Sequence, residues 1–120
     1  MNRHQLGKKG EAIALRYLQE QGYRVIETNY RSRFGEIDII AQDKDILCFV
    51  EVRTKISQEQ GHPFESITSV KKRKLTRMAL YYLQDKGLED AKARFDVVAV
   101  LPQEGEKFVI DLLRDAFDAH

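Results

Sequence analysis

Tryptophan is absent and cysteine occurs once, so no internal disulfide can staple this 120-residue chain. The single thiol, Cys48, alternates with Val50 and Val52, which reads as a core filler rather than a nucleophile. Long hydrophobic runs are also missing, and that excludes a membrane-spanning helix. The opening MNRHQLGKKG is basic but no apolar stretch follows it, so the pattern of a secretory signal is not met and the expected compartment is cytoplasmic. There is no large net charge: 20 Lys and Arg face 19 Asp and Glu, for +1 overall. Only the local arrangement of charge can therefore point to a partner. Charged residues at 32% and hydrophobic residues at 42% are the balance of a globular protein, and the length suits one domain over residues 1–120 with a real core.

Two segments carry helical periodicity. Leu6, Gly10, Ile13, Ala14, Tyr17 and Leu18 form one apolar stripe over about 6–21, with Gly22 as the stop. Ile67, Leu75, Met78, Ala79, Tyr82 and Leu83 form a second over about 68–86, with Thr68 or Ser69 as N-cap and Gly87 as the stop. Strand composition marks 23–30, a run opened by Gly35, the run ending near Lys55, 94–101 and 107–112. The tail LRDAFDAH is expected either as a short helix or as a loose end. The order helix, three strands, helix, two strands predicts an α/β sandwich with a central mixed β-sheet flanked by helices.

The stretch Phe34–Lys55 holds the chemistry. Asp38 and Glu51 lie on two strand-like runs joined by the polar Asp43, Lys44 and Asp45, and an antiparallel hairpin is the simplest connection between them. Strict alternation puts Glu36, Asp38 and Ile40 on one face of the first run, and Leu47, Phe49, Glu51, Arg53 and Lys55 on one face of the second. A hairpin then makes the two acids neighbours. Paired carboxylates repel unless a cation neutralises them, and hard oxygen ligands suit magnesium or manganese. The competing reading is an ordinary hairpin with cross-strand pairs such as Asp38 with Arg53. Glu11, at the edge of the first helical stripe, reads from spacing alone as a solvated surface acid. Asp96 shares a face with Val98 and Val100 and is expected in a structural, hydrogen-bonding role.

Lys71, Lys72, Arg73, Lys74 and Arg77 crowd two turns of the second helix. That is either a solvated basic face or a phosphate-contacting one, with DNA as the natural polyanion. Tyr81 and Tyr82 read as packing and rim residues. His62, in the Gly- and Pro-containing connection after Lys55, reads as a surface histidine because no Cys or His partner accompanies it.

Several segments together are more specific than any one of them: Gly7, Gly10, Glu11 and Ala12; Asn29, Tyr30 and Arg31; Gly35-Glu36-Ile37-Asp38; Phe49-Val50-Glu51-Val52-Arg53; Ile67, Thr68, Lys71, Lys74 and Leu75; and Arg94-Phe95-Asp96-Val97-Val98. They span nearly the whole chain, which resembles the YraN-like family of small bacterial proteins. That family's fold is similar to those of restriction endonucleases and archaeal Holliday-junction resolvases. The resemblance implies a restriction-endonuclease-like sandwich with an acid, acid-x-lysine site. Asp38 and Glu51 would be its metal ligands and position 53 its cation. Glu11 would be the helix acid that resolvases add, and a homodimer would be the assembly. One departure stands out. Position 53 is Arg, and a guanidinium with a pKa above about 12 cannot act as a general base. Lys55 lies two residues further along the same strand face, roughly 6.6 Å away, and could reach back to take the lysine's place. The expected activity is metal-dependent hydrolysis of structured or branched DNA. The alternatives are a non-catalytic nucleic-acid-binding or adaptor module that kept the fold, and a protein-interaction domain whose basic helix meets an acidic partner.

Overall fold

Local capping sets where the helices begin. In the computed structural model, which describes residues 2–55, 64 and 67–118, helix α1 runs Arg3–Glu20. The Asn2 side chain accepts from the Gln5 N–H at 2.8 Å and the Asn2 N–H donates to Gln5 Oε1 at 3.0 Å. This reciprocal box starts the helix three residues before the apolar stripe does. Helix α2, Ser69–Asp85, is capped by the Thr68 hydroxyl, which accepts from the Lys71 N–H at 3.1 Å. His62 and the rest of 56–63 lie outside the described residues.

Strands β1 (Arg24–Ser32), β2 (Gly35–Asp43), β3 (Ile46–Thr54), β4 (Ala93–Pro102) and β5 (Phe108–Leu113) form one sheet in sequence order. The sheet is mixed: β3 pairs with β4 in parallel, and every other neighbour is antiparallel. A parallel pair needs a crossover, and α2 lies in it. The two helices cover opposite faces. Ala14 and Leu18 of α1 pack with Ile39, Ala41, Cys48, Val50, Val98 and Val100. Leu75, Met78, Ala79 and Tyr82 of α2 pack with Ile37, Ile40, Leu47, Phe49 and Phe95. Each buried Val, Leu, Ile, Phe or Met side chain among them contributes about 1.5–3 kcal/mol through its loss of water contact. The result is an α/β sandwich, compatible with the restriction-endonuclease-like arrangement.

Two expectations need correction. The tail is neither a helix nor loose through residue 118. The Ala116 N–H donates to the Phe95 carbonyl at 2.7 Å, and Phe117 stacks on Phe95 with ring centres 4.6 Å apart. Strict alternation also fails in β2, because Ile37 and Ile40 both pack on the α2 side. The register runs Thr28↔Ile39 and then Tyr30↔Ile37, with Asn29 and Asp38 between them unpaired, and Asn29 has a left-handed φ of 52°. The β1–β2 register is unbroken across these residues, its shift lying between Val25 and Glu27, so the side-chain phase of β2 changes locally at Asp38.

The same region divides the sheet. On this side the β2–β3 ladder ends at Ile39↔Val50. Beyond it β2 stays with β1 through Ser32↔Gly35, while β3 stays with β4 through Thr54↔Val100. The two strands therefore part into a fork. Helix α1 closes in over it because residue 10 is glycine: a Cβ there would overlap Thr54 Oγ1 and lie 3.0 Å from Thr54 Cβ.

Candidate metal and nucleic-acid site

At the fork the Val52 N–H, which has lost its place in the β2–β3 ladder, donates to Asp38 Oδ2 at 2.8 Å. This bond turns the Asp38 carboxyl into the gap between the strands. Glu51, one residue before Val52, is buried there close enough to Asp38 for the two carboxyl charges to act on each other. Its other partner is Lys71 of α2, whose Nζ lies 3.6 Å from Glu51 Oε2. Glu11 enters from α1, carried by the close approach at Gly10. Glu11, Asp38, Glu51, Arg53 and Lys55 thus all line one cleft of about 330 Å³.

Glu36 joins them. Carboxylate oxygens of Glu11, Glu36 and Asp38 lie within 4.8 Å of one another. Asn29 holds two of these acids through its side-chain amide, which donates to Glu36 Oε1 at 2.8 Å and to Glu11 Oε2 at 3.3 Å. Arg31 Nε donates to Glu36 Oε2 at 3.0 Å. These bonds, with Asn29 first, hold the Glu36 carboxyl below the usual range, so it is a reliable anion. A neighbouring cleft of about 540 Å³ is lined by Arg3, Lys8 and Arg31 together with Glu11 and Glu36, so cations flank the acids on the α1 side.

Asp38 is the opposite case. Burial first, then the charges of Glu51 and Glu11, push its pKa up to about 7 against the Val52 N–H and Lys71, which pull it down. Burial also raises Glu51, with Lys71 and Arg53 opposing. Two carboxyls in contact cannot both ionise cheaply, so near neutrality the pair retains a proton until a cation displaces it.

The basic helix divides in two. Lys71 stands one turn before buried Leu75 and is turned to the cleft, whereas Arg73, Lys74 and Arg77 are exposed and line none of the clefts described above. Sequence reasoning did not assign Glu36, Asn29 or the approach of Lys71 to Glu51. The signal for Glu36 was its i,i+2 relation to Asp38. The Lys71 contact depends on the docking of α2, which no local pattern fixes. Asp96 holds no place in the cleft. It accepts from Tyr23 Oη at 2.7 Å, Arg94 Nε at 2.9 Å and the Asp115 N–H at 2.9 Å, as its expected structural role requires.

A fold with acids gathered at a sheet fork defines a class; relatives define the family. Residues 10–100 match the model of the uncharacterised protein family UPF0102. The chain is 49% identical over 118 residues to a UPF0102 protein of Desulfosudis oleivorans, covering 98% of this chain and 94% of the relative. It is 50% identical over 113 residues to one from Syntrophus aciditrophicus, with 93% and 87% covered. A third, from Chlorobium phaeobacteroides, is 42% identical over 121 residues, with 97% and 95% covered. The chain belongs to the UPF0102 family.

Proposed function

We propose that this protein is a magnesium- or manganese-dependent nuclease that hydrolyses phosphodiesters in structured or branched DNA. The observation that carries the reading is the excess of carboxylate at the fork: Glu11, Glu36, Asp38 and Glu51 converge beside a cleft, and Asp38 is left without a cation in salt-bridge contact among the described residues. Their donor atoms fit a hard divalent ion, being oxygens only and within 4.8 Å of one another for Glu11, Glu36 and Asp38. Bound there, the ion would act as a Lewis acid on a phosphate oxygen and lower the pKa of a water. The chain's own groups do the rest. Lys71 compensates Glu51. Arg53 and Lys55, on the cleft wall, can meet negative charge developing on a phosphate, and Arg53 does so as a permanent cation rather than as a base. Arg3, Lys8 and Arg31 offer an electropositive approach for the backbone.

Arg53 also favours a second reading, a nucleic-acid-binding module that keeps the acids without turnover, because the nuclease pattern expects lysine at that position. Incubating the pure protein with linear, single-stranded, flap and four-way DNA, with and without magnesium or manganese, separates the two. Cleavage that Glu51→Gln abolishes is expected. Binding that falls linearly in log affinity with log salt, with no such cleavage on any substrate, would leave the binding module.

A further inference from the structure

The turn between β1 and β2 places Phe34 against the outer face of α2. Its ring meets exposed Tyr81 at 5.8 Å between centres, with the planes 67° apart. Two guanidiniums lie over the same Phe34 ring, Arg33 at 4.9 Å and Arg77 at 5.6 Å. Arg73 and Lys74 are exposed on the same helix. Among the described residues none of Arg33, Arg73, Lys74 and Arg77 has a carboxylate at ion-pair distance, unlike Arg16, Arg31, Arg94 and Arg114. Stabilising a hairpin tip does not call for this arrangement. Two like charges on one ring repel, and a single Arg–carboxylate pair, such as Arg31 with Glu36 two residues away, fastens the same hairpin at no such cost.

Phe34 is half-buried against the core and braces this group, while the Tyr81 ring and the arginine planes are exposed among unneutralised cations. That suits one kind of ligand: unpaired bases on a phosphate backbone, which stack on the exposed π-faces while the cations hold the phosphates. We propose that Phe34, Tyr81, Arg33 and Arg77 form a stacking platform for single-stranded DNA, set apart from the acidic cleft. Phe34 precedes Asp38 by four residues, roughly 13 Å along an extended strand. The platform would therefore engage a strand a few nucleotides from a phosphate held at the acids. This deepens the nuclease reading by naming unpaired DNA as the feature recognised near the cut, and it rests on that reading for the second contact.

The test is equilibrium binding in EDTA, where no cleavage occurs. It compares a fluorescent oligothymidylate with a duplex of equal length, for the wild type, Tyr81→Ala and Arg77→Gln. Tyr81 is an exposed rim residue, so its truncation leaves the core intact, and circular dichroism checks the fold. Single-strand affinity is expected to fall about tenfold in Tyr81→Ala, the scale of one lost stacking contact, with duplex affinity changing less than twofold. Arg77→Gln should weaken both forms and reduce the salt slope by about one. A 2-aminopurine base in the oligonucleotide should be quenched on binding to wild type and not to Tyr81→Ala. In Tyr81→Ala, equal loss for both DNA forms or no loss overturns the platform, as does failure of the wild type to bind single strands. Because cleavage is not read, a protein that never cuts DNA can still pass this test, and an active nuclease can still fail it.

Discussion

Asp96 and Asp38 are both withdrawn aspartates on strands inside the sheet, yet their surroundings are opposites. Asp96 is completely buried and has three donors, from Tyr23, Arg94 and the Asp115 backbone. Arg94 goes on to Asp43 at 2.6 Å, and Arg114 stands 3.8 Å from Asp43, so two acids face two guanidiniums. Burial alone would lower the pKa of Arg94, but its bonds to Asp96, Asp43 and Tyr23 hold it above its ordinary value. Burial beside Asp96 also pushes the Tyr23 hydroxyl up, so it stays protonated and donating. Cys48, near the same network, is pushed up to about 12, chiefly by burial, and stays an inert thiol. Among the described residues, no cation stands in salt-bridge contact with Asp38 at the fork. A balanced network holds a fold together; the unbalanced one is where the metal is proposed to bind.

The largest effect should come from breaking the balanced side. Arg94→Ala strands Asp96 without a cation and leaves Asp43 only the more distant Arg114, and should cost about 3–5 kcal/mol in denaturant unfolding, since a buried charge loses its partner. A loss below 1 kcal/mol would mean that the network is not structural. On the unbalanced side, Glu51→Gln should leave the fold intact and lower metal-dependent cleavage about a hundredfold or more, the scale of a lost transition-state contact. Retained cleavage in a single-turnover assay would remove Glu51 from the site.

Asp38→Asn sharpens the contrast through pH. The folded pKa of Asp38 is raised to about 7, so the folded state binds its proton more tightly than the unfolded chain does. The stability this gives is complete below the unfolded value and is lost as pH rises through about 7. Asparagine keeps the acceptor for Val52 and cannot ionise, so the variant should gain on wild type between pH 5 and pH 8, reaching on the order of 1–3 kcal/mol without metal. A stability difference that does not change with pH would refute the shared proton. Magnesium or manganese should narrow the gap at pH 8 by stabilising only the wild type. A comparable effect is expected of Gly10→Ala, where crowding against Thr54 should cost about 1–3 kcal/mol and displace Glu11 from the cleft. A crystal structure of that variant with α1 unmoved would show that Thr54 yields instead.

Legibility followed the range of the forces. Amphipathic stripes and turn residues gave both helices, all five strands and the β2–β3 hairpin, because those depend on neighbours in sequence. The meeting of Asp38 with Glu51 followed from hairpin geometry, and Glu11 entered through family resemblance. What was not legible depends on departures from regularity. The side-chain phase of β2 changes at Asp38, opposite the left-handed Asn29, so Asp38 does not share a side with Ile40 as alternation requires. Lys71 and Glu36 acquire partners through the docking of α2 and through Asn29, and neither is encoded by spacing within a strand.

The bond from the Val52 N–H to Asp38 has a bearing on how this protein is mutated. Continuing the Ile39↔Val50 register by one step would bring residue 38 opposite residue 51. The carboxylate is a zipper stop: its side-chain acceptor takes the amide that the neighbouring backbone would otherwise claim. Asparagine preserves that stop, and alanine removes it. An alanine at position 38 frees the two strands to close one further step, so a silent Asp38→Ala variant would report a sealed cleft as readily as a missing ligand.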